Sequence, residues 1–129
     1  METGITPLSP ELLAWIGTGG VQPLAPFSRE IYLLTITIAG TSFCEKIHEL
    51  EPLLLPGIEL KMIRLPMNTH DNQAIGIYFE NTRIGWVPRE ENPILSRLMD
   101  AGKAFFCRIE NTGKKGSWVK IDAKVYMVE

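Results

Sequence analysis

The segment NTHDNQAIGIYF, residues 68 to 79, sets Asn68, His70, Asp71 and Asn72 against the start of an apolar, strand-like run. Asx side chains in that position cap backbone N–H groups a few residues on and shape a turn. The same oxygens could equally accept from a ligand, and the two uses are compatible. A second concentration lies near the C-terminal end, where Val119, Ile121, Ala123, Val125 and Met127 alternate with Trp118, Lys120, Asp122, Lys124 and Tyr126. The first set suits a core face. The second, beside Lys114 and Lys115, combines rings that can stack on bases with ammonium groups that can meet phosphates. Mixed charge is also ordinary on a solvent-facing strand, so the pattern marks a face without naming its ligand.

Other chemistries find little to stand on. Cys44 and His48 are four residues apart, but a Cys–His pair needs an accessible, activated thiolate and an orienting partner, which this apolar setting does not supply. No enzyme is expected. Cys44, His48, His70 and Cys107 contain no short-spaced pair of metal ligands, and neither a Gly-rich phosphate loop nor a dinucleotide fingerprint is present. No metal or other cofactor is therefore expected.

The elements that must position these residues are short. LSPELLAWIG predicts a first helix, with Ser9 as cap, Pro10 in the first turn and Gly17 as stop, followed by an irregular Gly/Pro-rich extension through residue 29 that packs Leu24 and Phe27 on the body. From Glu30 the apolar period becomes two, with Tyr32, Leu34, Ile36 and Ile38 on one face. CEKIHELEPLLLPG allows a helical turn or two before Pro56-Gly57. IELKMIRL, AIGIYFE and RIGWV read as strands, the last two joined tightly at Asn81 and Thr82. In EENPILSRLMDAGK, Asn92 suits a cap, Ile94, Leu95, Leu98 and Met99 a buried stripe, and Gly102 a stop. AFFCRIE and SWVKIDAKVYMV close the chain as two strands around a loop, NTGKKG. About six strands with two or three short helices predict a mainly β, α+β fold, arranged as a small OB-like or SH3-like β-barrel.

At 129 residues and 45% hydrophobic content the chain suits one soluble domain with its own core. No apolar run approaches the roughly 20 residues that span a bilayer. METGITPLSP lacks the features of a signal peptide, so a cytoplasmic address and no membrane partner are expected. Two cysteines fit reduced structural thiols. Residues 1 to 60 hold two bases against seven acids, and residues 61 to 129 hold eleven bases against eight acids, so a basic face is available within a slightly acidic chain.

GTSF, IRLPMNTHDNQAIGIYF and IGWVPREEN fall in the order and spacing of the HIRAN domain, and the resemblance covers residues 30 to 128. It is similar to a stand-alone bacterial-type member of that family, which is otherwise known attached to Swi/Snf-type helicases and nucleases. The resemblance implies an OB-like, non-catalytic module that binds single-stranded DNA at an unpaired 3′ end in replication or repair, with a helicase or nuclease as partner enzyme. By position, Asp71 is similar to the family's aspartate that bonds the terminal 3′-hydroxyl, and Asn68 to the asparagine shaping that pocket. His70 and Phe43 would stack on bases and Arg89 would hold a phosphate, with Trp86 nearby where tyrosine or histidine is usual. Leu65 replaces an acid of the motif, His70 a tyrosine, and Ser42 stands where relatives that capture DNA can carry arginine. The other class of function left open is a protein-interaction module using the acidic N-terminal half, with Trp15, Leu24 and Phe27.

Overall fold

The computed structural model describes residues 29–129. The expected N-terminal helix, and Trp15, Leu24 and Phe27 with it, lie outside the described residues. Six strands form one antiparallel sheet: β1 (Glu30–Thr37), β2 (Glu59–Arg64), β3 (Ile75–Phe79), β4 (Thr82–Trp86), β5 (Ala104–Lys115) and β6 (Trp118–Val128). Between β1 and β2 lie a 3-10 turn (Thr41–Phe43), the single-turn helix α1 (Ile47–Leu50) and a second 3-10 turn (Glu51–Leu53). Helix α2 (Asn92–Asp100) follows β4. In β2, β5 and β6 the buried residues alternate with more exposed ones as the apolar period predicts, whereas β3 buries Ile75, Gly76 and Ile77 in succession.

The strand order, β1-β6-β5-β2-β3-β4, leaves β1 and β4 as separate edges, so the sheet is open and the expected barrel does not form. β1 ends at Thr37, and the chain bends away at Gly40 (φ 73°) before it can pair along β4. What joins the two ends is one bridge between Ala39 and Trp86. The N–H of Ala39 donates to the Trp86 carbonyl at 2.9 Å, and the N–H of Trp86 returns a bond of 2.8 Å.

Four local expectations are also corrected. A bulge between Tyr32 and Leu34 turns Tyr32 to the solvent face, while Leu34, Ile36 and Ile38 keep the inner one. Most of the expected NTGKKG loop is strand, since β5 runs to Lys115 and the turn is confined to Gly116 and Ser117. The tight β3–β4 connection is made by Glu80 and Asn81, one residue earlier than expected, with Glu80 at positive φ. In α2, Leu95 is buried and Leu98 and Met99 half-buried, but Ile94 points outward. Gly102 does close that helix, its N–H donating to the Met99 carbonyl.

The core is aliphatic. Leu54, Leu60, Ile75, Ile77, Ile84, Ile121 and Val125 are fully buried, each contributing about 1.5–3 kcal/mol relative to exposure. Cys107 is buried among them, and desolvation pushes its thiol up to about 12, so it is an inert structural group. Among the described residues no helix is long and apolar enough to cross a membrane.

Candidate functional site

The ten-residue connection between β2 and β3 is held by its own Asx chemistry. Asn68 Oδ1 accepts from the backbone N–H of His70 (2.9 Å) and of Asp71 (3.0 Å), and Asp71 Oδ1 accepts from the N–H of Gln73 (2.9 Å). The turn reading is thus satisfied, and it leaves Asp71 Oδ2 directed elsewhere. That oxygen takes a 2.8 Å hydrogen bond from Asn92 Nδ2 and stands 3.8 Å from Arg89 Nε. Arg89 in turn donates to the His70 carbonyl at 3.1 Å, tying the residues after β4 to the β2–β3 connection.

Asn92 corrects a further expectation. Glu91 occupies the cap position and Asn92 the first helical one, where it is buried and spends its side chain on Asp71. Asn followed by Pro reads locally as cap and first turn, and only the partner 21 residues away reveals the other use.

These residues line a cavity of about 370 Å³ between the Gly40 bend, the β2–β3 connection and the end of β4. It brings together six of the eight expected residues: Phe43, Asn68, His70, Asp71, Trp86 and Arg89. Phe43 is 86% exposed at the rim. Trp86 packs so closely on Gly40 that a Cβ there would lie 2.9 Å from the indole, and the positive φ of Gly40 already disfavours any other residue. Trp118 and Lys120 do not line the cavity. They begin β6, whose Val119 carbonyl accepts from the buried Thr41 hydroxyl at 2.7 Å and so anchors the 3-10 turn carrying Phe43; Lys120 faces Asp122 at 3.7 Å. The alternation of β6 identified a face correctly but gave no position relative to the site.

Two residues beyond the expected set matter here. Asn92 orients the carboxylate, and Arg83 lays its guanidinium 4.4 Å from the centroid of Trp86. Arg83 is an exposed base in a five-residue strand, and nothing local distinguishes it from a solvating charge. Leu65, the residue replacing the motif's acid, lines a shallower groove of about 280 Å³ with Met67 and Arg83; that groove shares Asn68 and Trp86 with the main cavity. Ser42 is exposed.

The Gln73 N–H, the Asn92 amide and the nearby Arg89 and Arg64 outweigh partial burial and hold Asp71 below the usual carboxylate range. The site therefore carries an ionised carboxylate at neutral pH. Because the folded value is depressed, the stabilisation it brings is complete above the ordinary carboxylate pKa and is lost only as pH falls through the lower folded one. Asn92→Ala removes one of the lowering donors, so the Asp71 pKa should rise toward its ordinary value, as read by carboxylate NMR titration. An unchanged titration would show that the Gln73 N–H and the arginines alone set it. Among the described residues no three His, Cys, Asp or Glu side chains come together as a metal ligand set.

An open sheet with a ring-edged cavity at the meeting of its two ends, its mainly apolar wall marked by the Asp71 carboxylate, describes a small binding module. The chain belongs to the HIRAN domain family, which matches residues 31–128. It shares its fold with a crystal structure of a protein from Lactobacillus plantarum, at TM-score 0.73 and 19% identity over 80% of this chain and 99% of that one. The crystal structure of the HIRAN domain of human HLTF is similar at TM-score 0.59 and 13% identity, covering 77% of this chain and 78% of that chain. No curated protein matches the sequence.

Proposed function

We propose that the protein is a single-stranded DNA-binding module that captures a 3′-hydroxyl end in the cavity around Asp71, in a replication or repair setting and as an accessory to a helicase or nuclease. The observation that carries this is the state of Asp71: an ionised carboxylate, oriented by Gln73 and Asn92, on the wall of a cavity edged by three rings and a guanidinium. A carboxylate has about four acceptor positions, and the turn and Asn92 use two, leaving capacity for a hydroxyl proton. Phe43 and His70 offer faces to the last bases, and Arg89 offers charge to a phosphate. The expected cytoplasmic address fits such a role.

Fluorescence anisotropy with labelled strands ending in 3′-hydroxyl or 3′-phosphate tests the assignment. The hydroxyl end should bind more tightly by roughly tenfold or more, since two unit charges 4 Å apart repel by ~4 kcal/mol at an effective dielectric constant of 20 and Arg89 offsets only part of that. Affinity should also fall steeply with salt. Equal binding of both ends, or none at low salt by a folded protein, would overturn the assignment.

A further inference from the structure

The solvent face of the sheet carries a row that the cavity does not use. Register pairs Tyr32 with Tyr126, Tyr126 with Phe106, Phe106 with Lys61, Lys61 with Tyr78 and Tyr78 with Arg83. Directly paired residues share a face, so this row crosses all six strands on the side opposite the core. A solvent-facing sheet surface is normally polar. Here four of the six residues are aromatic.

Cations accompany the rings. Phe106 and Tyr126 stack at 5.3 Å with planes 12° apart, and Tyr32 meets Tyr126 edge-on at 5.9 Å. Arg108 lies 4.8 Å from the Phe106 centroid and 5.0 Å from that of Tyr126, and Lys124 5.7 Å from that of Tyr32. Glu30 and Glu59 engage Arg108, which leaves Lys61, Arg83 and Lys124 as the stronger phosphate partners. The row is also continuous with the cavity. At its β4 end Arg83 covers Trp86, which lines both the cavity and the adjoining groove.

We infer that the nucleotides on the 5′ side of a captured end leave the cavity past Trp86 and Arg83 and run across this face from β4 toward β1, stacking on the row while Lys61 and Lys124 meet phosphates. This rests on the end-capture reading and extends it from a terminal pocket to a track. Five strand spacings of about 4.8 Å make the track roughly 24 Å long. That length suits several nucleotides, within the range of about 4–16 seen for strand-binding sheets.

Anisotropy with 3′-hydroxyl oligothymidylates of three, six and twelve nucleotides tests it, using the wild type, Lys61→Glu and Tyr32→Ala. Tyr32 is half exposed on an edge strand, and Lys61 is exposed, so both variants should keep the melting temperature of the wild type. The wild type should tighten at least tenfold from three to twelve nucleotides. Each variant should lose most of that gain while binding the trinucleotide as before, and Lys61→Glu should also flatten the salt dependence of the long strand. A wild type that binds the trinucleotide without gaining from length, or a gain that survives both substitutions, overturns the track and leaves end capture standing. Long strands that depend on Lys61 and Tyr32 yet show no preference for a 3′-hydroxyl support the track and overturn end capture. Failure of every length to bind the folded protein overturns both.

Discussion

Asp71→Ala should weaken binding of a 3′-hydroxyl strand by about 1.5–3 kcal/mol, the contribution of a hydrogen bond to a charged group, which is ten- to more than a hundredfold in Kd. The same change removes the acceptor for Gln73 and the partner of the buried Asn92, so a lower melting temperature should accompany it. Asp71→Asn separates the two effects. An amide oxygen can still serve the turn, and once the Asn92 amide turns over to present its oxygen the new N–H₂ has that partner and a second proton for a hydroxyl oxygen, so the fold and part of the affinity should be kept. What should vanish is discrimination against a 3′-phosphate, because the negative charge that repels it is gone. Paired anisotropy and thermal melts of the three proteins read this directly. If Asp71→Ala melts lower but binds as the wild type does, the residue serves the turn alone.

Gly85→Ala should be the most damaging glycine-to-alanine substitution among the described residues. A Cβ at Gly85 would overlap Ile38 Cγ2 and lie 2.6 Å from the Ala39 carbonyl oxygen. That carbonyl is one half of the Ala39–Trp86 bridge, and backbone cannot step aside as a flexible side chain does. Overpacking of this kind costs about 1–3 kcal/mol or somewhat more. For a domain of about 100 residues each kcal/mol lowers the melting temperature by roughly 4–8 °C. The bridge also holds Trp86 in the cavity wall, so binding should fall along with stability. Gly113→Ala is the matched control, since nothing lies within 4 Å of its Cβ position, and it should change neither quantity. Calorimetry of both variants gives the comparison, and a Gly85→Ala melt equal to that of Gly113→Ala would remove the close-approach argument.

The longer strands were legible because they bury every second residue, and β6 displays that alternation from Val119 to Val125. Sheet closure was not legible. Whether β1 pairs along β4 depends on where the chain bends after Thr37 and on the order of all six strands, neither of which a local period records. The bulge at Leu33 has the same character, since one unpaired residue reverses Tyr32 without altering composition. At the site, Asn68 and Asp71 announced themselves as clustered Asx residues before a strand, whereas Phe43, Trp86 and Arg89 came through family resemblance and are brought close only by the fold. Asn92 and Arg83 escaped notice because each has an adequate local explanation. Their actual partners, Asp71 and Trp86, are settled by packing.

The Ala39–Trp86 bridge makes the cavity a seam. Two hydrogen bonds join the open ends of the sheet there, while every other neighbouring pair of strands is held by a ladder. Such a join is where local opening costs least. A strand end lodged against Trp86 and Phe43 touches both sides of the seam, so it binds the closed form in preference. By thermodynamic reciprocity, whatever favours closure tightens binding, and binding disfavours the open form by the same free energy. Amide hydrogen exchange at Ala39 and Trp86 would then report occupancy of the cavity, and a molecule assembled around one weak join would register its ligand as a change in its own breathing.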